Sequence, residues 1–380
     1  MYIPRILEHT LKSRIFGGKI LILYGPRQAG KTTLVRHLVA NFNEQVRFID
    51  CELLENRELL TRRNTIDIFS LVKQYKIVVF DEAQVIPGIG SVLKTLYDHH
   101  PEVQYIATGS SSFDLANAIS EPLTGRSLEF TLYPLSLIEL ASTAFDAERE
   151  VMSLMLFGGY PDLTNLSEKE KVFRLKTLVS QYLYKNVLAI GGIKKPELII
   201  QLLKLLAHQI GNEVSYRELA TKLVTSQQTI ERYIDLLEKN FVIVRLSSFA
   251  RNLRNEITRS KKVYFIDLGI RNALIDSFGP IDSIGRGDIG GLFENCMIVE
   301  RLKHIAHNGR ALPGVYFWRT FSQQEIDYIE ESEQVIRAYE FKWSMGKKII
   351  APRSFTDAYP RAKFMSISPQ TAFDFITTSL

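Results

Sequence analysis

Gly25-Pro26-Arg27-Gln28-Ala29-Gly30-Lys31-Thr32 is an unbroken GxxxxGK[ST] run. Few short patterns constrain a chain as strongly. Its glycines let the backbone curl so that several N–H groups face one point, and the N-terminus of the following helix adds positive potential there. That geometry requires a strand before the run and a helix after it. Both are present: Lys19–Tyr24 is a short apolar run suited to a buried strand, and Lys31 to about Phe42 reads as a helix. Val46–Asp50, Lys76–Phe80 and Val103–Thr108 supply three more strand candidates, separated by helical stretches. Strands alternating with helices imply an α/β layer with a mostly parallel sheet, which takes ligands at the carboxyl ends of its strands.

Within the loop, Lys31 is placed to meet β- and γ-phosphates, Thr32 offers a hydroxyl to Mg²⁺, and Thr33 reaches the α-phosphate. The whole of Gly25, Pro26, Arg27, Gln28, Ala29 and Gly30 then lines the nucleotide. A second motif, Ile77-Val78-Val79-Phe80-Asp81-Glu82, is an apolar strand ending in two acids. Asp81 would hold Mg²⁺ through its water shell, and Glu82 would polarise the attacking water. Thr108–Ser112 ends the fourth strand in small polar groups, of which Ser110 is a candidate for sensing the γ-phosphate. Arg126, in Leu123–Arg126, is a candidate arginine finger in cis or in trans, with Arg27 as a second phosphate-facing arginine.

The strings GPRQAGKTTL, VVFDEAQ, IATGSSS and LTGR, followed by Leu132–Ser136, resemble the prokaryotic AAA+-type ATPases that carry a C-terminal domain of uncharacterised function. The resemblance runs across nearly the whole chain and includes Phe157–Pro161 and Tyr264–Gly269. It implies an ATPase core using ATP and Mg²⁺, in which the strand ending in Asp81 is not adjacent to the phosphate-loop strand.

Composition sets the remaining bounds. The chain has 380 residues, 46% hydrophobic and 23% charged, which fits two or three globular domains and excludes a disordered, collagen-like or disulfide-framed chain. No apolar run approaches the length of a membrane span. Residues 1–19 mix Arg5, Glu8, Lys12 and Arg14 into apolar positions and read as an amphipathic helix, not a signal peptide. The two cysteines, Cys51 and Cys296, stand in no ligand spacing, so the expected setting is reduced and cytoplasmic. The net charge of +5 is mild, but Arg245, Arg251, Arg254, Arg259, Lys261 and Lys262 face only Glu256 in their stretch.

That basic stretch follows a segment, Leu198–Leu246, with the look of a winged helix. Tyr216–Val224 and Gln227–Asn240 are two helices around a short turn, with Ile230, Ile234 and Leu237 on the core face. Gln227, Gln228, Thr229, Glu231 and Arg232 are left exposed, and amides and arginines at the start of a helix suit a DNA major groove. A wing would follow, with Arg251 and Arg254 near its tip.

Three pieces stand out near the C-terminus. Glu294 lies early in a helix (292–306), on a stripe with Ile298 and Ile305. Asp327 lies in Glu325–Ile329, and Glu340 and Lys342 share one face of a strand. A hairpin would bring Asp327 to Glu340. The set resembles the PD-(D/E)xK nuclease fold, although no proline precedes Asp327. The resemblance implies Mg²⁺ or Mn²⁺ held by Glu294, Asp327 and Glu340, with Lys342 steadying water or the scissile phosphate.

The expected architecture is therefore α/β: a P-loop NTPase (AAA+-like) parallel sheet over 1–145, a helical lid over 146–195, a winged helix over 196–275, and a C-terminal restriction-endonuclease-like α/β domain over 285–380. ATP and DNA are the expected partners, a homo-oligomer is required if Arg126 acts in trans, and no membrane is involved. An ATP-regulated nuclease competes with a nucleotide-dependent DNA- or protein-binding switch that cuts nothing, and with a DNA-binding regulator that dimerises through its C-terminal domain.

Overall fold

The computed structural model describes residues 2–110, 123–141, 143–182, 195–249, 261–281, 286–320, 322–332, 335–344 and 349–378. They fall into two compact units. The first comprises residues 1–134 with 239–241 and 306–310, and the second the remainder.

In the first unit, β1 (Ile20–Tyr24), β2 (Val46–Asp50), β3 (Ile77–Asp81), β4 (Gln104–Gly109) and β5 (Ser127–Thr131) pair in parallel in the order β2-β3-β4-β1-β5. Alternate residues of β1 serve opposite faces. Ile20, Ile22 and Tyr24 join Val78, Phe80 and Tyr105 in one core, while Leu21 and Leu23 join Val79 and Ile106 in the other. Helices α1 (Ile6–Lys12) and α2 (Lys31–Val39) cover the second core. Helices α3 (Leu54–Arg62), α4 (Thr65–Ser70) and α5 (Ile89–His99) cover the first. β4 separates β3 from β1, as the family resemblance implies. Strand β5 was not expected from the sequence, because it is a half-buried edge strand with Glu129 in its middle. The N-terminal helix is shorter than expected: it stops at Lys12, and Gly17-Gly18 precede β1.

The second unit begins with α6 (Leu137–Leu140), α7 (Ala144–Phe157) and α8 (Glu168–Tyr182). Next come α9 (Pro196–His208), β6 (Glu213–Val214), α10 (Tyr216–Lys222), α11 (Gln227–Lys239), β7 (Ile243–Ser248) and β8 (Lys261–Phe265). After α12 (Leu268–Ile275) and α13 (Ile289–His307) the chain forms β9 (Gly314–Arg319), β10 (Glu325–Ser332), β11 (Val335–Phe341), α14 (Arg353–Ala358), β12 (Lys363–Ile367) and α15 (Ala372–Thr377).

Among the described residues these strands make one seven-stranded sheet, ordered β12-β11-β10-β9-β7-β8-β6. The segments read from sequence as separate winged-helix and C-terminal domains thus share a sheet, joined where Ser247 and Ser248 of β7 run parallel to Tyr316 and Phe317 of β9. The two motifs Phe157–Pro161 and Tyr264–Gly269 also meet. The Gly159 N–H donates to Asp267 Oδ2 (2.8 Å), and Asp267 Oδ1 caps α12 by accepting from the Ile270 N–H (3.1 Å). Gly158 has φ +70°, and a Cβ on it would lie 2.0 Å from Asp267 Oδ1, so neither strain nor space admits a side chain.

Candidate nucleotide site and C-terminal carboxylate cluster

The phosphate loop joins the carboxyl end of β1 to the amino end of α2. Gly25 has φ +153°, and a Cβ there would fall 2.1 Å from the Leu132 carbonyl oxygen, so the close approach of the two backbones demands glycine. Gly30, at φ 94°, turns the chain into α2. Lys31 is 4% exposed, and its ammonium donates to the carbonyls of Gly25 (3.0 Å) and Pro26 (3.1 Å), with Glu82 at 3.8 Å. Burial pushes the Lys31 pKa down, and Glu82 and Asp81 resist that shift. Arg27 is half-buried and close enough to act on the same ammonium electrostatically. Gln28 and Thr33 are exposed, and Ala29 is buried.

Asp81 ends β3 beside the loop. The Thr32 hydroxyl donates to its Oδ2 (2.8 Å) and Oδ1 (3.0 Å). The Thr108 hydroxyl at the end of β4 donates to Oδ1 (2.5 Å) and accepts from the Glu82 N–H (3.0 Å). Glu82 itself has φ 51°, a left-handed conformation costing a non-glycine residue about 1–2 kcal/mol. Such strain collects at functional positions. Gln84 Nε2 donates to Glu82 Oε2 (2.6 Å) and to Ser110 Oγ (3.1 Å), while its Oε1 is buried with no protein donor. Ser110 therefore joins the cluster, whereas Ser111 and Ser112 lie outside the described residues.

Three contributors were missed in the sequence. Thr108 and Gln84 lie inside quoted motifs, and for Thr108 a polar residue near the end of a largely apolar strand was the available signal. Arg5 on the loop before α1 is 6% exposed, and its guanidinium donates to the Ala29 (2.9 Å) and Tyr133 (2.7 Å) carbonyls. It therefore braces the phosphate loop from behind, and no local pattern announces that.

Arg126 needs a correction. Its carbonyl accepts from the Ile20 N–H (2.9 Å), at the amino end of β1, and its side chain pairs with Asp98 (2.9 Å). The phosphate loop leaves the opposite end of β1. At ~3.3 Å per residue this puts Arg126 more than about 10 Å from the loop, too far to serve its own chain's nucleotide as a finger.

In the second unit, Asp327 and Glu340 come together as neighbouring strand positions, next to the Tyr328–Tyr339 pair. An irregular register between Ile326 and Ile329 marks a β-bulge in β10 at this point. Asp327 Oδ2 accepts from the Phe341 N–H (2.8 Å), and Glu340 pairs with the exposed Lys342 (2.8 Å). Glu294 on α13 enters from the helix side. No local pattern announces what meets it there. Lys262, 1% exposed, contacts Glu294 (2.9 Å), Glu325 and Asp327 (4.0 Å), and the Tyr264 hydroxyl donates to the same Glu294 oxygen (2.5 Å). Burial works against the Lys262 ammonium, but Glu294, Asp327 and Glu325 outweigh it and raise its pKa above the ordinary lysine value. Burial, then the neighbouring Glu294 and Glu340, push Asp327 well above the usual carboxylate range. Glu294 and Asp327, two of the three expected metal ligands, thus face an ammonium. Among the described residues no three His, Cys, Asp or Glu side chains are placed to hold an ion, and here an ammonium stands among the carboxylates.

The basic run is also redistributed. Arg245 is bound by Asp235 (2.7 Å) and Glu238, and Lys261 donates to Ser247 Oγ (2.8 Å). Arg251, Arg254 and Arg259 lie outside the described residues. Gln227, Gln228, Glu231 and Arg232 are exposed at the start of α11, with Thr229 half-buried. No helix among the described residues is long and apolar enough to cross a membrane.

With that geometry in place, residues 17–141, which hold the phosphate loop and the five-stranded parallel sheet, match the AAA domain family. Residues 148–280 match a domain of unknown function (DUF8612), and residues 289–374 match another (DUF4143). An uncharacterized protein of Mycobacterium tuberculosis is 27% identical over 325 residues, covering 85% of this chain and 70% of its own length. Another, of Methanocaldococcus jannaschii, is 25% identical over 317 residues, covering 71% of this chain and 66% of its own. Among solved structures, the RuvB Holliday junction branch migration motor of Thermotoga maritima is 17% identical, covers 63% of this chain and 87% of its own, and has a TM-score of 0.31. AMPPCP-bound DnaA from Aquifex aeolicus is 15% identical, covers 61% and 87%, and has a TM-score of 0.29.

Proposed function

We propose that the chain is an ATP-hydrolysing switch whose second unit contacts DNA. The observation that carries the first half is the convergence of Lys31, Thr32, Asp81, Thr108 and Glu82 at the carboxyl ends of β1, β3 and β4. One hydroxyl and one carboxylate 2.8 Å apart beside a phosphate loop suit Mg²⁺, which would neutralise phosphate charge there; Thr32 and Asp81 would hold it. Lys31 would exchange its two carbonyl partners for β- and γ-phosphate oxygens. Glu82, braced by Gln84, would take the proton of the attacking water, and the orphaned Gln84 Oε1 provides an acceptor to hold that water. Arg126 remains a candidate finger only for the nucleotide of a neighbouring copy, which would make the active form an oligomer. Glu82→Gln should bind ATP normally and hydrolyse it at least 100-fold more slowly. Hydrolysis by that variant at the parent rate would remove Glu82 from its role.

The DNA half of the reading rests on the order α9-β6-α10-α11-β7-β8, with β8 paired antiparallel to both β6 and β7. That order supports a winged-helix reading, in which the exposed Gln227, Gln228 and Arg232 lie at the start of the second helix of the helix-turn-helix. Arg245, paired internally, would make no phosphate contact, so Arg245→Ala should leave the salt dependence of duplex affinity unchanged. Binding that is unchanged in Gln227→Ala/Gln228→Ala would contradict this surface. The order α13-β9-β10-β11-α14-β12 supports a nuclease-like fold for the C-terminal segment, but a fold does not confer cleavage.

A further inference from the structure

Lys262 is the second residue of β8, a strand that lies between two others. It is paired with Leu246 of β7 on one side and Glu213 of β6 on the other. A side chain in a strand flanked on both sides has no route sideways, so this one leaves only through the face of the sheet. Tyr264, two residues on, shares that face. Helix α13 lies over it and brings Glu294, while β10 contributes Glu325 and Asp327. The stem of Lys262 also runs past the Phe317 ring, with its nitrogen 5.6 Å from the ring centre.

We propose that the Lys262 ammonium is the resident cation of this carboxylate centre, and that the centre consequently binds no divalent metal ion. Three acids whose charges would otherwise repel one another are held together by one internal positive charge. Each has its bonds already distributed. Glu294 accepts from Lys262 and from the Tyr264 hydroxyl on the same oxygen. Asp327 accepts from the Phe341 N–H and faces Lys262. Glu325 holds Lys262 and lies 3.7 Å from Arg319. Glu340, the fourth acid, has an ammonium of its own in Lys342. A dication entering here would have to displace an ammonium that has nowhere else to go, or sit beside it in a region of low dielectric where like charges repel strongly. The arrangement resembles a metal-dependent site in its acids and departs from one in its cation. It is independent of the nucleotide reading, because none of these residues belongs to the phosphate loop.

The test is a Mn²⁺ titration followed by electron paramagnetic resonance, on the full chain carrying Asp81→Asn so that the first unit contributes no ion, without nucleotide. With Lys262 in place, no bound Mn²⁺ that depends on Asp327 is expected. Adding Lys262→Met removes the charge while keeping most of the volume, and should gain one bound Mn²⁺ per chain. That ion should be lost again on adding Asp327→Asn. One Mn²⁺ bound by the chain with Lys262 intact and abolished by Asp327→Asn would overturn the proposal. So would a folded Lys262→Met chain that gains nothing. If Lys262→Met fails to fold, as judged by circular dichroism, the arm with Lys262 intact decides alone.

Discussion

Thr108 links the two acids that close β3. It accepts from the Glu82 N–H and donates to Asp81, so its hydroxyl fixes the backbone of one and the carboxylate of the other. Thr108→Val keeps the shape and leaves both partners without it, which should cost about 1–3 kcal/mol of stability in denaturant titration. Gln84 acts on the neighbouring side chain. Gln84→Ala should leave ATP affinity within about twofold and lower the hydrolysis rate by about 10-fold or more, since Glu82 Oε2 loses its 2.6 Å donor. A Gln84→Ala chain that loses affinity instead would place the residue in binding. At this scale the sequence was most readable where chemistry is contiguous. The loop and the Asp81-Glu82 pair are local strings whose spacing is set by backbone geometry. Lys262 was not readable, because in a basic run a lysine looks solvated. The signal lay in the alternation of β8, which puts Lys262 on the same face as Tyr264.

Among elements, the loop before α1 and the turn after α7 carry unexpected weight. Arg5 satisfies two carbonyls, one in the phosphate loop itself and one in the segment after β5. Arg5→Ala should leave two carbonyls short of a donor and weaken ATP binding about 10-fold, while Arg5→Lys should rescue it only in part because one ammonium lacks the guanidinium fork. The turn is tighter still. Gly158→Ala drives a Cβ into the carboxylate that caps α12, and should destabilise the second unit by about 2–4 kcal/mol in thermal or denaturant unfolding. Helices α10 and α11 were legible through their 3.6-residue periodicity. Strand β5 was not, because an edge strand with a central acid lacks the apolar run that marks β1 and β3. The expected wing is a further case: the arginines placed at its tip fall outside the described residues, while Arg245 in β7 is held by acids of α11.

At the scale of the molecule, the second unit is knit by pairings between residues far apart in sequence. β7 meets β9 across nearly 70 positions, and such a contact leaves no mark on either segment's local pattern. Sequence therefore divides the unit into a winged helix and a C-terminal domain, whereas the sheet is continuous. Half-buried ion pairs tie α12 to the segment leading into α13 as well. Arg271 donates to Asp288 (2.6 Å), and Arg286 donates to the same carboxylate (2.9 Å). Burial opposes the charge on Asp288, but the bond from Arg271 and the two guanidinium charges hold its pKa below the ordinary aspartate value. A carboxyl depressed on folding contributes stability that is complete above its unfolded pKa, about 3.8, and fades as pH falls through the folded value. Asp288→Asn should thus lower the melting temperature at pH 7, by the equivalent of about 1–3 kcal/mol, with the difference from the parent shrinking below about pH 4. A difference that grew on acidification would contradict the pairing.

The claim on which the functional reading depends is that main-chain amides of the phosphate loop, with Lys31 and the Thr32–Asp81 pair, hold a nucleoside triphosphate. Isothermal titration of Mg²⁺–ATP into the full chain tests it most directly. Saturable heat near one site per chain, absent in Lys31→Ala, is the predicted result. No heat from the parent chain with either ATP or GTP, or undiminished binding by Lys31→Ala, would contradict it.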